Sequence, residues 1–360
     1  MVELIQPYVS AREAERRAEE WLATLDRRSA VGARHHVVPR FLLARFASDG
    51  QLRVRRRADG VASTRSISDL AVRDFYTAVT IGGELDSSLE SLFSVVETET
   101  AQILRQHLDL RSFSHPRPIS REERATIDTF VAMQAVRGMR TRRMLETTAD
   151  YTVKFLNRGR LSEEDTEELM FLPHPNDHLK MLGLLADNIE NNLKDRPISI
   201  VRLDRPMMIT GDEPVVLSQA PSDSPFVMGQ HYFVHLQAHG RGFATAEAVL
   251  LALSPSAALL YGPSGLESQR FEMTFRSQEA TGFAREHNDL VMAGSVDWLA
   301  ASPEHPTFVN MRIPPPLPVV RVHDGGSPIS ARLNATPGRR PVRRLRPDDI
   351  DLVPEDADEQ

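Results

Sequence analysis

ISIVRLDRPMMITGDEPVVLS, residues 198–218, is where the texture of the chain changes. Upstream, apolar residues recur at intervals of three and four. From here on they come in short runs: ISIVRL at 198–203, MMIT at 207–210, VVLS at 215–218, VLLALS at 249–254 and ALLYG at 258–262. Short apolar runs bounded by Gly, Pro and Asp read as strands.

Working back from that point, residues 84–110 carry Leu85, Leu89, Leu92, Phe93, Val96, Ile103 and Leu104 at helical spacing. A second long helix is expected from Ser120, with Glu123 completing a capping box. It runs through Ile127, Phe130, Val131 and Met144 to near Gly159. Two further helices are expected at 162–171 and 175–195, and a last one at 277–300. Nearer the N-terminus, 10–29 reads as a charged helix capped by Ser10, and Pro39 opens a short helix. Asp59-Gly60 joins QLRVRRR to ASTRSIS as a hairpin. Helices first and strands later imply an α+β fold, a predominantly helical body with a small, mostly antiparallel sheet. The expected division is an N-terminal helix at 1–30, one main domain at 31–312, and a Pro- and Arg-rich, then acidic, tail at 313–360. That tail is expected to be disordered beyond about Ser327.

The composition excludes several classes. The 360 residues include no cysteine, so disulfides, thiolate nucleophiles and cysteine-ligated zinc are ruled out. A net charge of -7 offers no global field for nucleic acid, and any such binding needs a local patch. No apolar run is long enough to span a membrane and no secretory leader is visible, so a cytoplasmic protein is expected. Oligomeric state is not legible.

Certain polar residues need a reason. His35-His36 precedes a short helix and could supply a ligand and a base. ββα-metal nucleases carry a similar histidine pair, but they follow it with a hairpin, and here a helix follows at once. Glu90 and Glu97 lie two turns apart on one helix face, roughly 10 Å along the axis, and could share a divalent metal. Gln134 and Arg137 fall inside the apolar stripe of the second helix, with Arg140 a turn further on. A core-facing arginine needs a carboxylate, and Glu90 or Glu97 is the expected partner. Asp212 sits in an acidic turn between two apolar runs, where a rigid edge can position a carboxylate or an Asx-turn can form.

Taken in order, these segments resemble the bacterial family known as domain of unknown function 4238. RHHVVPRFLLARF matches its opening motif at His35, Val37, Pro39, Phe41, Leu42 and Phe46. SLESLFSVVETE resembles its helix of spaced glutamates, and FVAMQAVRGMR its Q-x-x-R helix. TGDEPV resembles its late motif, with Gly211 where serine is usual. LALSP and Asn288 complete the likeness, which covers about 34–300. The resemblance implies no activity. It adds that the residues singled out above recur together.

Two functions fit the sequence. In the first, His35, His36, Glu90, Glu97 and Asp212 gather a divalent metal, with His36, Glu90 and Asp212 catalytic. Gln134, Arg137, Arg140 and Asn288 then bind a phosphate-containing substrate. The Arg-rich hairpin, from Arg53 to Arg65, tracks a nucleic-acid backbone, and the protein is a metal-assisted hydrolase or nuclease. In the second, the same residues form a buried structural network in a non-enzymatic ligand-binding or regulatory module.

Overall fold

The computed structural model describes residues 34–108, 119–218, 242–263 and 272–316, apart from 71, 74–75, 80–82, 158, 163–170, 172 and 174. It also describes the strands Phe233–His235 and Arg321–His323, which pair with each other. The helices expected at 10–29 and 162–171, and the tail beyond 327, lie outside the described residues. The chain divides into two compact units. The smaller comprises residues 1–35, 73–95 and 344–360, and the larger 36–72 and 96–343.

In the smaller unit, Ala78–Val79 pairs with Leu85–Asp86. Tyr76 is fully buried, with His35 stacked on its ring at 5.6 Å and Phe93 edge-on at 4.9 Å.

The larger unit is α+β, as its texture implies. Its helices are α1 (Arg40–Ala44), α3 (Arg121–Val136), α4 (Met139–Leu156), α5 (Pro175–Lys194) and α6 (Ser277–Gly294), with most of α2 (Ser88–Leu108). Its strands are β1 (Gln51–Arg56), β2 (Ala62–Ser66), β3 (Ile198–Leu203), β4 (Thr210–Gly211), β5 (Val215–Ser218), β6 (Ala248–Ser254), β7 (Ala257–Tyr261), β8 (Glu272–Phe275) and β9 (Trp298–Ala301). Five of them form a sheet in the order β8-β3-β7-β6-β5, antiparallel except for the parallel pair β8-β3. Four form an antiparallel sheet in the order β2-β1-β9-β4. Among the described residues no helix is long and apolar enough to cross a membrane.

Local chemistry explains most of these elements. Ser120 and Glu123 exchange both bonds of a capping box at the start of α3. Gly60 takes φ +68° in the β1–β2 turn, a conformation that glycine adopts without strain. Ile209, Val216, Leu250, Val291, Met292, Leu299, Ala301 and Phe308 form one buried apolar cluster, which both sheets and α6 share.

Three expectations are corrected. The second long helix is two helices, broken at Arg137–Gly138. The last helix stops at Gly294, because WLAA at 298–301 is an entirely buried central strand, β9. MMIT is not a strand over its length. The backbone N–H groups of Met207 and Met208 both donate to Pro255 O, and only Thr210–Gly211 joins a sheet. The turn that follows links the two sheets. β4 belongs to the four-stranded sheet and β5 to the five-stranded one, so Asp212-Glu213-Pro214 is the corner at which the chain changes sheets.

Candidate functional site

The break at Gly138 places two arginines. Arg137 closes α3 as its C-cap residue and is 2% exposed. Its Nη1 meets Glu97 Oε1 of α2 at 2.5 Å, and its Nη2 donates to the carbonyl of His36. One turn earlier, Gln134 Nε2 donates to the carbonyl of Val37 at 3.0 Å. The opening motif is therefore gripped through its backbone by the Q-x-x-R segment. The expected carboxylate partner of Arg137 is Glu97. Glu90 lies in the first turn of α2, where a negative charge complements the helix dipole. In the smaller unit, His35 uses Nδ1 to accept from the Tyr76 N–H at 3.0 Å.

The corner 212–214 works the same way. Asp212, 1% exposed, accepts from the N–H groups of Val296 and Asp297, at 3.0 and 2.6 Å, and so fixes the approach to β9. Glu213 accepts from the N–H of Arg140 at 2.6 Å. Since Gly138, the N-cap of α4, has no side chain to cap with, this distant carboxyl caps the helix instead. A Cβ at Gly138 would lie 2.5 Å from the Glu213 carboxyl carbon, although φ −74° there suits any residue. The carboxyl, not the backbone, requires the glycine. At Gly211, a Cβ would fall on the Ser295 hydroxyl, 3.1 Å from Ser295 Cβ. Ser295 fills the space that a serine at 211 would need.

Burial raises both acids of the corner. Asp212 is raised to about 6, chiefly by desolvation, and Glu213 to about 8 by desolvation and by the charge of Asp212 beside it. Arg57, Arg140 and Arg143 act on this pair. Arg140 is 8% exposed, with Nη1 3.4 Å from Gly294 O.

Asn288 of α6 accepts from Ile209 N at 3.0 Å and donates to Met207 O at 2.9 Å, pinning the segment that leads into the corner. Its neighbour His287 is fully buried and held neutral, its pKa lowered to about 4 by desolvation.

Among the described residues no three His, Asp or Glu side chains form a group that could hold a metal ion. Of the candidate ligands, His35 and Glu90 belong to the smaller unit, and His36, Glu97 and Asp212 to the larger. The Arg-rich hairpin also differs from a free basic patch. Arg55 donates to Gly60 O, Phe308 O and Met311 O, Arg56 pairs with Asp297 at 2.7 Å, and Arg57 Nη1 donates to Pro314 O. Arg53 bonds Thr64, and Arg65 bonds Ser63 within the hairpin.

Sequence reasoning missed a second buried network. Arg124 grips Asp128 through Nε at 2.7 and 2.8 Å, and its Nη2 donates to Leu193 O in the last turn of α5 and to Arg196 O just beyond it. Tyr261 OH donates to Asp128 at 2.8 Å, and Arg196 donates to Gly262 O, Phe243 O and Ala246 O. The i,i+4 spacing of Arg124 and Asp128 is legible, but Tyr261 lies 133 positions from Asp128 and no local pattern announces it.

No curated protein and no solved structure matches this chain. The profile of one family does, over residues 34–305, and its span takes in every segment of the network. The chain belongs to the family described as protein of unknown function, DUF4238.

Proposed function

We propose that this protein is a ligand-binding module that does not turn its ligand over, and that its signature residues lock the fold. One observation carries the reading. Gln134, Arg137, Asp212, Glu213 and Asn288 each aim polar atoms at main-chain groups far along the chain. Groups committed to backbone partners inside the protein are poorly placed to serve a substrate, and a satisfied buried network specifies one structure. The same reading puts the cysteine-free chain in the reducing cytoplasm.

The test pairs activity with stability. The full chain is incubated with Mg2+ or Mn2+ and chromogenic phosphomonoester and phosphodiester substrates, and with single- and double-stranded DNA. No metal-dependent product above blank is expected, while Glu97→Gln and Asp212→Asn lower the melting temperature. Metal-dependent cleavage that Asp212→Asn abolishes without changing the melting temperature would overturn the reading in favour of metal-assisted phosphate-ester hydrolysis.

A further inference from the structure

From Phe308 the chain runs along the β1–β2 hairpin as a strap that is gripped at every third carbonyl. Phe308 O and Met311 O accept from Arg55 Nη1 at 3.2 and 2.6 Å, and Pro314 O accepts from Arg57 Nη1 at 2.8 Å. The residue after each of these carbonyls is exposed: Val309, Arg312 and Pro315. Met311, Ile313, Pro314 and Pro316 are half-buried, and Met311 and Ile313 pack against the apolar cluster that both sheets and α6 share. A short 3-10 turn, Phe308–Asn310, opens the strap, and Met311 then takes φ −61° and ψ 131°. The sequence continues Arg312-Ile313-Pro314-Pro315-Pro316. Proline holds φ at about −65°, and a residue before proline is kept extended. Those are the angles of polyproline II, a helix of about three residues per turn with no internal hydrogen bonds. The period turns one edge of the strap to Arg55 and Arg57 and leaves another to solvent.

An ordered polyproline II edge is the form in which proline-rich segments are recognised. Proline rings lie on aromatic side chains, and little conformational freedom is left to lose on binding. We propose that Val309, Arg312 and Pro315 form a docking strip for a partner protein's groove that is lined by aromatic side chains and carries a carboxylate on its rim. Val309 and Pro315 supply the apolar ridge, and Arg312 between them pairs with the carboxylate. A second copy of the chain does not fit that description. Among the described residues the large apolar side chains left exposed are Val61, Val95, Leu156, Leu184 and Val309, none of them aromatic. The strip uses none of the signature residues and stands independently of the reading above.

The full chain is titrated by biolayer interferometry against a panel of purified SH3 and WW domains, whose grooves have this chemistry. Saturable binding to at least one domain is expected. In that pair Pro315→Ala and Arg312→Ala should each weaken binding about tenfold or more, as for residues at the centre of an interface. Their melting temperatures should match wild type, because both side chains are exposed. Leu184→Ala, exposed on α5, should bind as wild type does. Changing the domain's rim carboxylate to its amide should weaken binding of the wild type but not of Arg312→Ala. Should Pro315→Ala disturb the fold, Arg312→Glu leaves every proline in place and should abolish binding. No saturable binding to any domain of the panel, or undiminished affinity in the folded variants, overturns the proposal. So does a dimer of the chain alone in sedimentation velocity that Pro315→Ala dissociates, which would assign the strip to a second copy.

Discussion

Replacing Gly138 by alanine adds one methyl group to a position whose backbone would accept it. At φ −74° alanine is unstrained, and on its own the change should stabilise the protein by about 0.4–1 kcal/mol by restricting the unfolded chain. The methyl would, however, occupy the place of the Glu213 carboxyl, 2.5 Å from its carbon. The carboxyl must move, and α4 loses the acceptor of the Arg140 N–H. Loss of a helix cap costs about 1 kcal/mol, and a buried donor left unmet adds about 1–3 kcal/mol. Set against that gain, these costs leave Gly138→Ala destabilised by about 1–3 kcal/mol. Glu213→Ala removes the same acceptor but also relieves the burial of an acid, so about 1–3 kcal/mol is expected. With the carboxyl gone the methyl fits, and the double variant should be as stable as Glu213→Ala alone or slightly more so. The coupling should then reach at least about 1.5 kcal/mol. Urea unfolding followed by tryptophan fluorescence, to which Trp298 at 4% exposure contributes, measures the four proteins. Additivity within about 0.5 kcal/mol would show that the carboxyl does not rest on Gly138, and the account of the α3–α4 break would fail.

Arg137→Ala should cost about 3–5 kcal/mol, since it leaves Glu97 and the His36 carbonyl without their partner; a thermal melt matching wild type would contradict this. Between pH 6 and 7.5, Glu213 is protonated in the folded state, with its pKa at about 8, and ionised in the unfolded state. The folded chain thus binds more protons, and stability should fall as pH rises, by of order 1 kcal/mol per pH unit. Glu213→Gln should flatten that slope in pH-dependent urea melts, and an unchanged slope would remove Glu213 as its source. Gly211→Ser should destabilise by about 1–3 kcal/mol through overpacking against Ser295, and adding Ser295→Gly should restore most of the loss. Failure of that rescue in the same melts would mean that the two positions do not compete for space.

The features legible in the sequence were those with local causes. The Asp59-Gly60 hairpin, the Ser120 capping box and the α2 stripe depend on residues a few positions apart, and the structure has all three. The pairing of Arg137 was legible because a cation inside an apolar stripe demands an anion. The break at Gly138 was not, because helical periodicity continues across it and the acid that caps the new helix lies 73 residues from Arg140. MMIT has the composition of a strand, but Asn288 and Pro255, distant in sequence, take its backbone groups. The partners of the hairpin arginines were equally hidden. Five arginines in and beside one hairpin look alike until their separate acceptors, from Thr64 to Pro314 O, are known.

Asp212 and Glu213 are adjacent, yet one is tied to the residues after α6 and the other to the first turn of α4. Two residues of chain span at most about 7 Å even when fully extended, so the link between these attachments has almost no slack. A push along the axis of α4 would be felt at the entry to β9 as a pull on Val296 and Asp297, and the reverse would hold. Mechanically the corner is a short crank set between two sheets, and whatever loads one of its arms must move the other or break a bond.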